Sequence, residues 1–368
     1  MEFDNSLRRQ SFDLPNLFEE QFEDLLKQTE TLAGEMDVNQ VQHILLTGCG
    51  DSYAAGMAMR YAVEELTKLP TELVNVIDFV NFYPKNRLSK HVLLIPISIS
   101  GDGVRIKQAV LKGNQHNAVT LGITKNSSSD VGDNVKHRID LHISPFERGP
   151  GNRNYFVSLL ALLFLALQIG HKKGFICVRE KRKFLDGIKK QMYDLNNLLP
   201  EMDQVLLEAA YRWREKTAFD FIGAGPDYAS AWFGHAKIIE ALGAFATHIN
   251  SEEWFHMNNF FKDRTNCGTV FVATKNNGAF ERTAEAVNYA LRINRPTLVI
   301  TDSTECRFNS CAVTVTVPDA EFEYACVLTS YVPTCILAGY LGAMAGEKNC
   351  RGCLGAWEFA AGGAFIKN

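Results

Sequence analysis

The chain repeats itself, and that constrains its fold more than any other feature. The run His43-Ile-Leu-Leu-Thr-Gly-Cys-Gly-Asp-Ser-Tyr is paralleled by Phe219-Asp-Phe-Ile-Gly-Ala-Gly-Pro-Asp-Tyr, with Gly48 over Gly223, Gly50 over Gly225 and Tyr53 over Tyr228, an offset of 175. Further on, Val92 to Gly101 matches Thr269 to Gly278 at an offset of 177, and Ala118 to Thr124 matches Pro296 to Thr301. Each half closes on an apolar helical stretch, Tyr155 to Gly170 and Tyr331 to Gly346.

Within each half, short β-branched runs alternate with stretches of helical periodicity. That alternation implies parallel strands joined by crossover helices on both faces of a sheet. The expected fold is α/β, two tandem doubly wound parallel-sheet modules preceded by an N-terminal helix. The expected segments are 1–40 (N-terminal helical segment), 41–179 (first module), 180–216 (helical linker), 217–346 (second module) and 347–368 (C-terminal tail). Residues 16–36 space Leu17, Phe18, Phe22, Leu25, Leu26 and Leu32 along one helical face, with Pro15 near the start. The linker reads as an amphipathic helix interrupted by Pro200.

A length of 368 residues exceeds what one core usually organises, in keeping with two modules. The formal net charge of -4 gives no electrostatic reason to expect nucleic acid or an anionic membrane as partner. Nine cysteines, an odd number scattered along a chain with a polar start, argue against a disulfide framework and for a reducing compartment, the cytoplasm. The Tyr155–Gly170 run is short for a bilayer and reads as a buried core helix. The pair Cys350 and Cys353 supplies only two of the four ligands of a structural zinc. No metal and no cofactor is expected.

In an open parallel sheet the ligand lies beyond the carboxyl ends of the strands, where the strand order reverses. Gly48 and Gly50 permit a tight turn there, and Ser52 falls near the start of the next helix, whose unpaired N–H groups favour an anion. The next such turn, Ser98-Ile-Ser100-Gly101-Asp-Gly103, adds two hydroxyls. Together they form a candidate cradle for a phosphate monoester. A glycine turn with a serine cap is common in any α/β protein, so the second turn carries the argument. In the second module the same loops read Gly223-Ala-Gly225-Pro226 and Lys275-Asn-Asn-Gly278, without the hydroxyl pair, and that copy is expected to keep the scaffold without the phosphate site.

At these residues the chain resembles the sugar isomerase (SIS) family, whose modules are flavodoxin-like. Its double-module members include the isomerase half of glucosamine-6-phosphate synthase and the fructosamine-6-phosphate deglycases. The resemblance implies that Gly50, Asp51, Ser52, Ser98, Ser100, Gly101 and Gly103 bind a sugar phosphate. It also implies that Glu240 shuttles a proton and that His256, sixteen residues on in the Glu253-Trp-Phe-His256 segment, opens the sugar ring. Glu253 and Lys237 would assist at the substrate. By the residues alone, Lys237 and Glu240 at i, i+3 are equally an ordinary surface ion pair, and His256 beside Trp254 and Phe255 a packed histidine.

Three positions depart from the family pattern. Asp51 stands where Thr or Gly is usual, Gly103 replaces a Thr, and Trp357 falls at a near-terminal lysine position, with Lys367 the lysine nearby. The expected activity is aldose–ketose isomerisation or deglycation of a phosphorylated sugar or sugar-amine conjugate, in a homodimer or higher homo-oligomer whose histidine is borrowed from a neighbouring copy. Phe255, where the synthases carry lysine, leans toward the deglycases. About forty residues before the first module leave no room for a glutaminase domain, which disfavours a full aminotransferase. The competing expectation is a non-catalytic sugar-phosphate sensor.

Overall fold

The computed structural model describes residues 2–303, 307–308 and 311–347. Cys306, Cys350, Cys353, Trp357 and Lys367 lie outside them. The chain divides into two compact units, one made of 16–145 and 153–185, the other of 2–15, 146–152 and the described residues from 186 onward.

Two helices come first, α1 (Ser6–Phe12) and α2 (Leu14–Glu35). Asn5 starts α1 by accepting the Arg8 N–H at 2.9 Å, and Pro15 sits in the first turn of α2, where its missing N–H costs nothing. The first unit then runs β1 (His43–Gly48), α3 (Asp51–Thr67), β2 (Thr71–Asn75), α4 (Val76–Asn81), β3 (Val92–Pro96), α5 (Val104–Gln115), β4 (Val119–Thr124) and β5 (His137–Asp140), followed by α6 (Asn152–Lys172). Its sheet order is β2-β1-β3-β4-β5, every pairing parallel. Central strands β1 and β3 are wholly apolar and buried, apart from His43 at one end and Thr47, as a sheet covered on both faces requires.

The second unit repeats the plan: β6 (Ala218–Gly223), α8 (Pro226–Leu242), β7 (Phe245–Asn250), α9 (Ser251–Trp254), β8 (Cys267–Val272), α10 (Phe280–Arg292), β9 (Thr297–Thr301), β10 (Val313–Thr316) and α11 (Val332–Met344), in the order β10-β9-β8-β6-β7. Read from the other edge, this is the first sheet's order. The register agrees residue by residue: Gly48 pairs with Asn75 and Gly223 with Asn250. Gly50 and Gly225 share φ +55°, with ψ -132° and -126°, a conformation that only glycine adopts easily.

One part of the sequence alignment needs correction. Thr47 pairs with Pro96 and Ile222 with Phe271, so the offset along β3 and β8 is still 175. The two extra residues enter beyond the strand, and Gly278 does not share the positive φ of Gly101, +73°.

Pro200 does not interrupt the helix that contains it. A single helix, α7, runs Val178–Trp213. Proline removes one hydrogen bond, but the stripe Met192, Leu195, Leu199, Met202, Leu206 and Ala210 is buried on both sides of it, and burial of that face outweighs the loss. The apolar helix α6 and the stretch ending in α11 are long enough to cross a membrane but are 89% and 100% buried in protein. α1 belongs to the second unit. Arg8 makes a two-pronged ion pair with Asp203 (2.9 and 2.8 Å), which also accepts from the Tyr340 hydroxyl of α11 at 2.7 Å. A side chain on Gly339 of α11 would strike Asn5.

Candidate functional site

The sheet order of the first unit reverses between β1 and β3, because β2 lies on one side of β1 and β3 on the other. Gly48–Ser52 and Ser98–Gly103 are the turns that leave those two strands, so the fold brings the two predicted loops to the mouth of one crevice. The Ile97 N–H donates to Thr47 O at 2.9 Å, holding the strand ends together to the last residue. Gly48 has no room for a side chain: a Cβ would lie 3.0–3.1 Å from Ser52 and Ile97. Gly50 caps α3 without a side chain, and Asp51 is the first residue of that helix, where a carboxylate is favoured by the dipole.

The second loop is pinned from below. Ser98 N–H donates to Ile123 O (3.0 Å), Gly101 N–H to Ser98 O (3.1 Å), Lys125 N–H to Ile99 O (3.1 Å) and Val131 N–H to Gly101 O (2.9 Å). Gly101 is buried, and a Cβ on it would collide with Ser129 Oγ at 2.0 Å. Ser98 and Ser100 remain at least partly exposed above this base. Asp130 closes the turn, ion-paired with Lys107 at 2.9 Å and 3.4 Å from the Gly103 N–H at the start of α5. Sequence reasoning missed this third loop, although Ser127-Ser128-Ser129-Asp130 directly after β4 was a signal for it.

In the second unit the matching place is filled. Asp227 stands where Ser52 stands in the first, and its buried carboxylate accepts from Thr274 N–H (2.9 Å), Thr274 Oγ1 (2.9 Å) and Asn277 Nδ2 (2.9 Å). Burial pushes its pKa up to about 6, against the pull of those donors.

Lys237 and Glu240 lie on α8. Lys237 Nζ is 2.7 Å from Glu240 Oε2 and 4.5 Å from the Phe233 ring centroid one turn earlier. The lysine side chain is 0% exposed and the glutamate 34%. The surface-pair alternative therefore fails for the lysine, which is in the core.

His256 is not packed between Trp254 and Phe255. Its side chain is 64% exposed, with Nε2 3.5 Å from Glu252 Oε1. Arg282 grips Glu252 through both oxygens (2.6 and 3.0 Å) and stacks 4.0 Å over the Phe255 ring, and it holds the Glu252 carboxyl below its ordinary pKa. Glu253 is exposed, and its carbonyl accepts the His256 N–H at 3.0 Å.

The fold does not bring Glu240 and His256 together within one chain. As a crossover helix, α8 returns to the amino edge of the sheet, and Glu240 sits two residues before its end. His256 follows the carboxyl end of β7. A six-residue strand separates those edges by about 20 Å. Among the described residues no group of three or more His, Cys, Asp or Glu is poised to hold a metal.

This crevice and the paired sheets define the fold: two parallel five-stranded sheets of one strand order, with helices between their strands. Residues 38–168 match the SIS domain family. The C-terminal domain of glucosamine-fructose-6-phosphate aminotransferase from Francisella tularensis superposes with a TM-score of 0.81 over 94% of this chain and 97% of that one, at 18% identity. The tagatose-6-phosphate ketose/aldose isomerase of Escherichia coli superposes with a TM-score of 0.72, covering 93% of this chain and 95% of that one at 15% identity. By sequence, the chain is 27% identical over 200 residues to the isomerizing glutamine–fructose-6-phosphate aminotransferase of Gloeobacter violaceus, covering 54% of this chain and 32% of that protein. It is 24% identical over 279 residues to the one from Encephalitozoon cuniculi, covering 74% and 39%. The chain thus spans about a third of the length of the curated relatives it matches.

Proposed function

We propose that the chain is a phosphosugar enzyme, an aldose–ketose isomerase or a deglycase acting on a phosphorylated keto-sugar or its amine conjugate. The observation that carries this reading is Lys237. A fully buried ammonium 2.7 Å from a carboxylate that keeps 34% of its surface open is a costly stabilising device, since an apolar side chain of similar volume would avoid the desolvation. It is a sound catalytic one. The lysine keeps Glu240 ionised and aimed, ready to take a proton from one sugar carbon and return it to the next.

In this reading Ser52, Ser98 and Ser100, with the N–H groups of the Gly50 turn, hold the phosphate, and Gly101 and Gly103 shape the loop that presents the two hydroxyls. Asp51 reads a sugar hydroxyl, and Glu253 contacts substrate. His256 opens the ring, and because Glu240 and His256 lie at opposite ends of β7, the histidine is supplied by a second copy, which makes the working form a homodimer. Cys49, Cys177, Cys267 and Cys326 are thiols, in keeping with a cytoplasmic setting. The aromatic Phe255 under Arg282 favours deglycation over isomerisation.

The test is to incubate the protein with fructose-6-phosphate and with fructosamine-6-phosphates and follow isomerised sugar and released amine. Turnover lost in both Glu240→Gln and His256→Ala is the expected result. Binding of the phosphosugar with no turnover of any of them would overturn the reading in favour of a sensor.

A further inference from the structure

Beneath His256 lies a buried polar network that the fold itself does not require. Asp220, in the middle of β6, is fully buried. Its Oδ2 accepts from Trp254 Nε1 at 3.0 Å and its Oδ1 from Asn258 Nδ2 at 2.8 Å. Arg295 lies 3.2 Å from the same carboxylate and donates through Nη1 to the Asn258 carbonyl at 2.8 Å. Trp254 and Asn258 are the two feet of a five-residue arch with His256 near its crest. One carboxylate thus holds both feet, and Arg295 closes the ring on the second.

The first module provides an internal comparison. At the 175 offset Asp220 corresponds to Leu45, Trp254 to Phe79 and Asn258 to Tyr83, and at the 177 offset Arg295 corresponds to Ala118. Leu45, Phe79, Tyr83 and Ala118 belong to one apolar core cluster. There the buried carboxylate and guanidinium are replaced by apolar side chains, and the matching segment is tied through its backbone by the half-buried Lys112, whose Nζ donates to the Phe79, Val80 and Tyr83 carbonyls at 2.6, 3.1 and 2.8 Å. Apolar replacements for a buried ion pair are often neutral or stabilising, so stability does not account for keeping four polar partners under one arch. A network satisfied on both sides of a short segment does fix that segment's geometry.

We propose that Asp220 and Arg295 are positioning residues, which lock the Trp254–Asn258 arch so that the His256 imidazole is presented in one orientation to its substrate. This rests on the reading of His256 given above. The imidazole reaches the sugar, while the pair beneath acts only through the arch.

The experiment transplants the first module's core: Asp220→Leu, Trp254→Phe, Asn258→Tyr and Arg295→Ala together, with Trp254→Phe alone as the mild variant that deletes one donor and keeps the ring. Each is assayed for kcat and KM with the phosphosugar turned over, for thermal stability, and for the His256 Cε1–H line by NMR. The expected result is kcat down roughly tenfold or more in the transplant, KM within about twofold, melting preserved, and a shifted or broadened His256 line in both variants. If His256→Ala abolishes turnover while both variants keep wild-type kcat and an unchanged line, the positioning proposal is wrong and the catalytic reading stands. If His256→Ala keeps full turnover, the catalytic reading fails, and the NMR line alone decides whether the pair orders the arch. Should the transplant not fold, the kcat and NMR line of Trp254→Phe alone decide between the same outcomes.

Discussion

Asp227 accepts the Thr274 N–H at 2.9 Å and its hydroxyl at 2.9 Å, so the second module's crevice holds a carboxylate of its own at the place where the first module presents Ser52. Removing it takes the acceptor from the Thr274 N–H and hydroxyl and leaves Asn277 Nδ2 with the Ala224 carbonyl alone. Asp227→Ala is expected to cost about 3 kcal/mol in chemical denaturation, with Asp227→Asn intermediate. A loss below about 0.5 kcal/mol would mean the carboxylate is not the partner those donors require.

Asp227 and His248 give opposed pH dependences. His248 stacks on His235 with ring centroids 4.2 Å apart, and burial lowers its pKa from 6.5 to about 4. The unfolded chain therefore binds the extra proton between those values, and this contribution, complete above pH 6.5, is lost as pH falls toward 4. For Asp227, raised from 3.8 to about 6, the folded chain is the one that keeps its proton, so stability is lost as pH rises through 6. Relative to the wild type, His248→Asn should lose a contribution that rises between pH 4 and 6.5 and Asp227→Asn one that falls between pH 3.8 and 6, read as differences by urea titration at stepped pH.

Lys237→Met separates stability from activity. Replacing the buried ammonium by an apolar chain of similar volume is expected to leave the melting temperature unchanged or raised. Turnover should fall roughly 100-fold. A variant that melts early and stays active would assign the lysine to the core alone.

Gly101→Ala tests the floor of the phosphate loop. A methyl group there meets Ser129 Oγ at 2.0 Å on a backbone at φ +73°. The strain is expected to cost about 2 kcal/mol and to weaken phosphosugar binding by calorimetry, as Ser98→Ala with Ser100→Ala should do without the stability loss. Unaltered affinity in both would place the anion elsewhere.

Mixing tests the borrowed histidine. Glu240→Gln and His256→Ala, each inactive alone, should regain part of the wild-type turnover when unfolded and refolded together, because mixed dimers contain one intact pair. No recovery from a preparation shown to contain mixed dimers would place both groups within one chain.

The fold was legible because the repeat carries its own check: Gly48 and Gly50, dictated by backbone geometry, recur as Gly223 and Gly225 at one spacing whatever happens to the side chains between them. The loops of the first crevice were legible for the same reason. What was hidden depends on burial, which spacing does not reveal. Lys237 and Glu240 read as a surface pair until α8 was seen to turn the lysine inward. Asp227 has nothing in its sequence neighbourhood to set it apart from any acidic residue in a helix's first turn, and Pro200 looked like a break because its neighbours' buried stripe could not be weighed against one lost hydrogen bond. Asp220 and Arg295, 75 residues apart, carry no local pattern at all.

The membership of residues 2–15 in the second unit bears on how the chain is made. Asn5 and Arg8 leave the ribosome ahead of the whole first module, yet their partners, Asp203, Gly339 and Tyr340, are synthesised more than half the chain later. The first module can close on its own strands while α1 waits, so a segment translated early is among the last to dock. That makes α1 a latch on the completed second module. Its protection from proteolysis should appear only after α11 has been made, so cleavage near Arg8 reports on a helix more than 300 residues away.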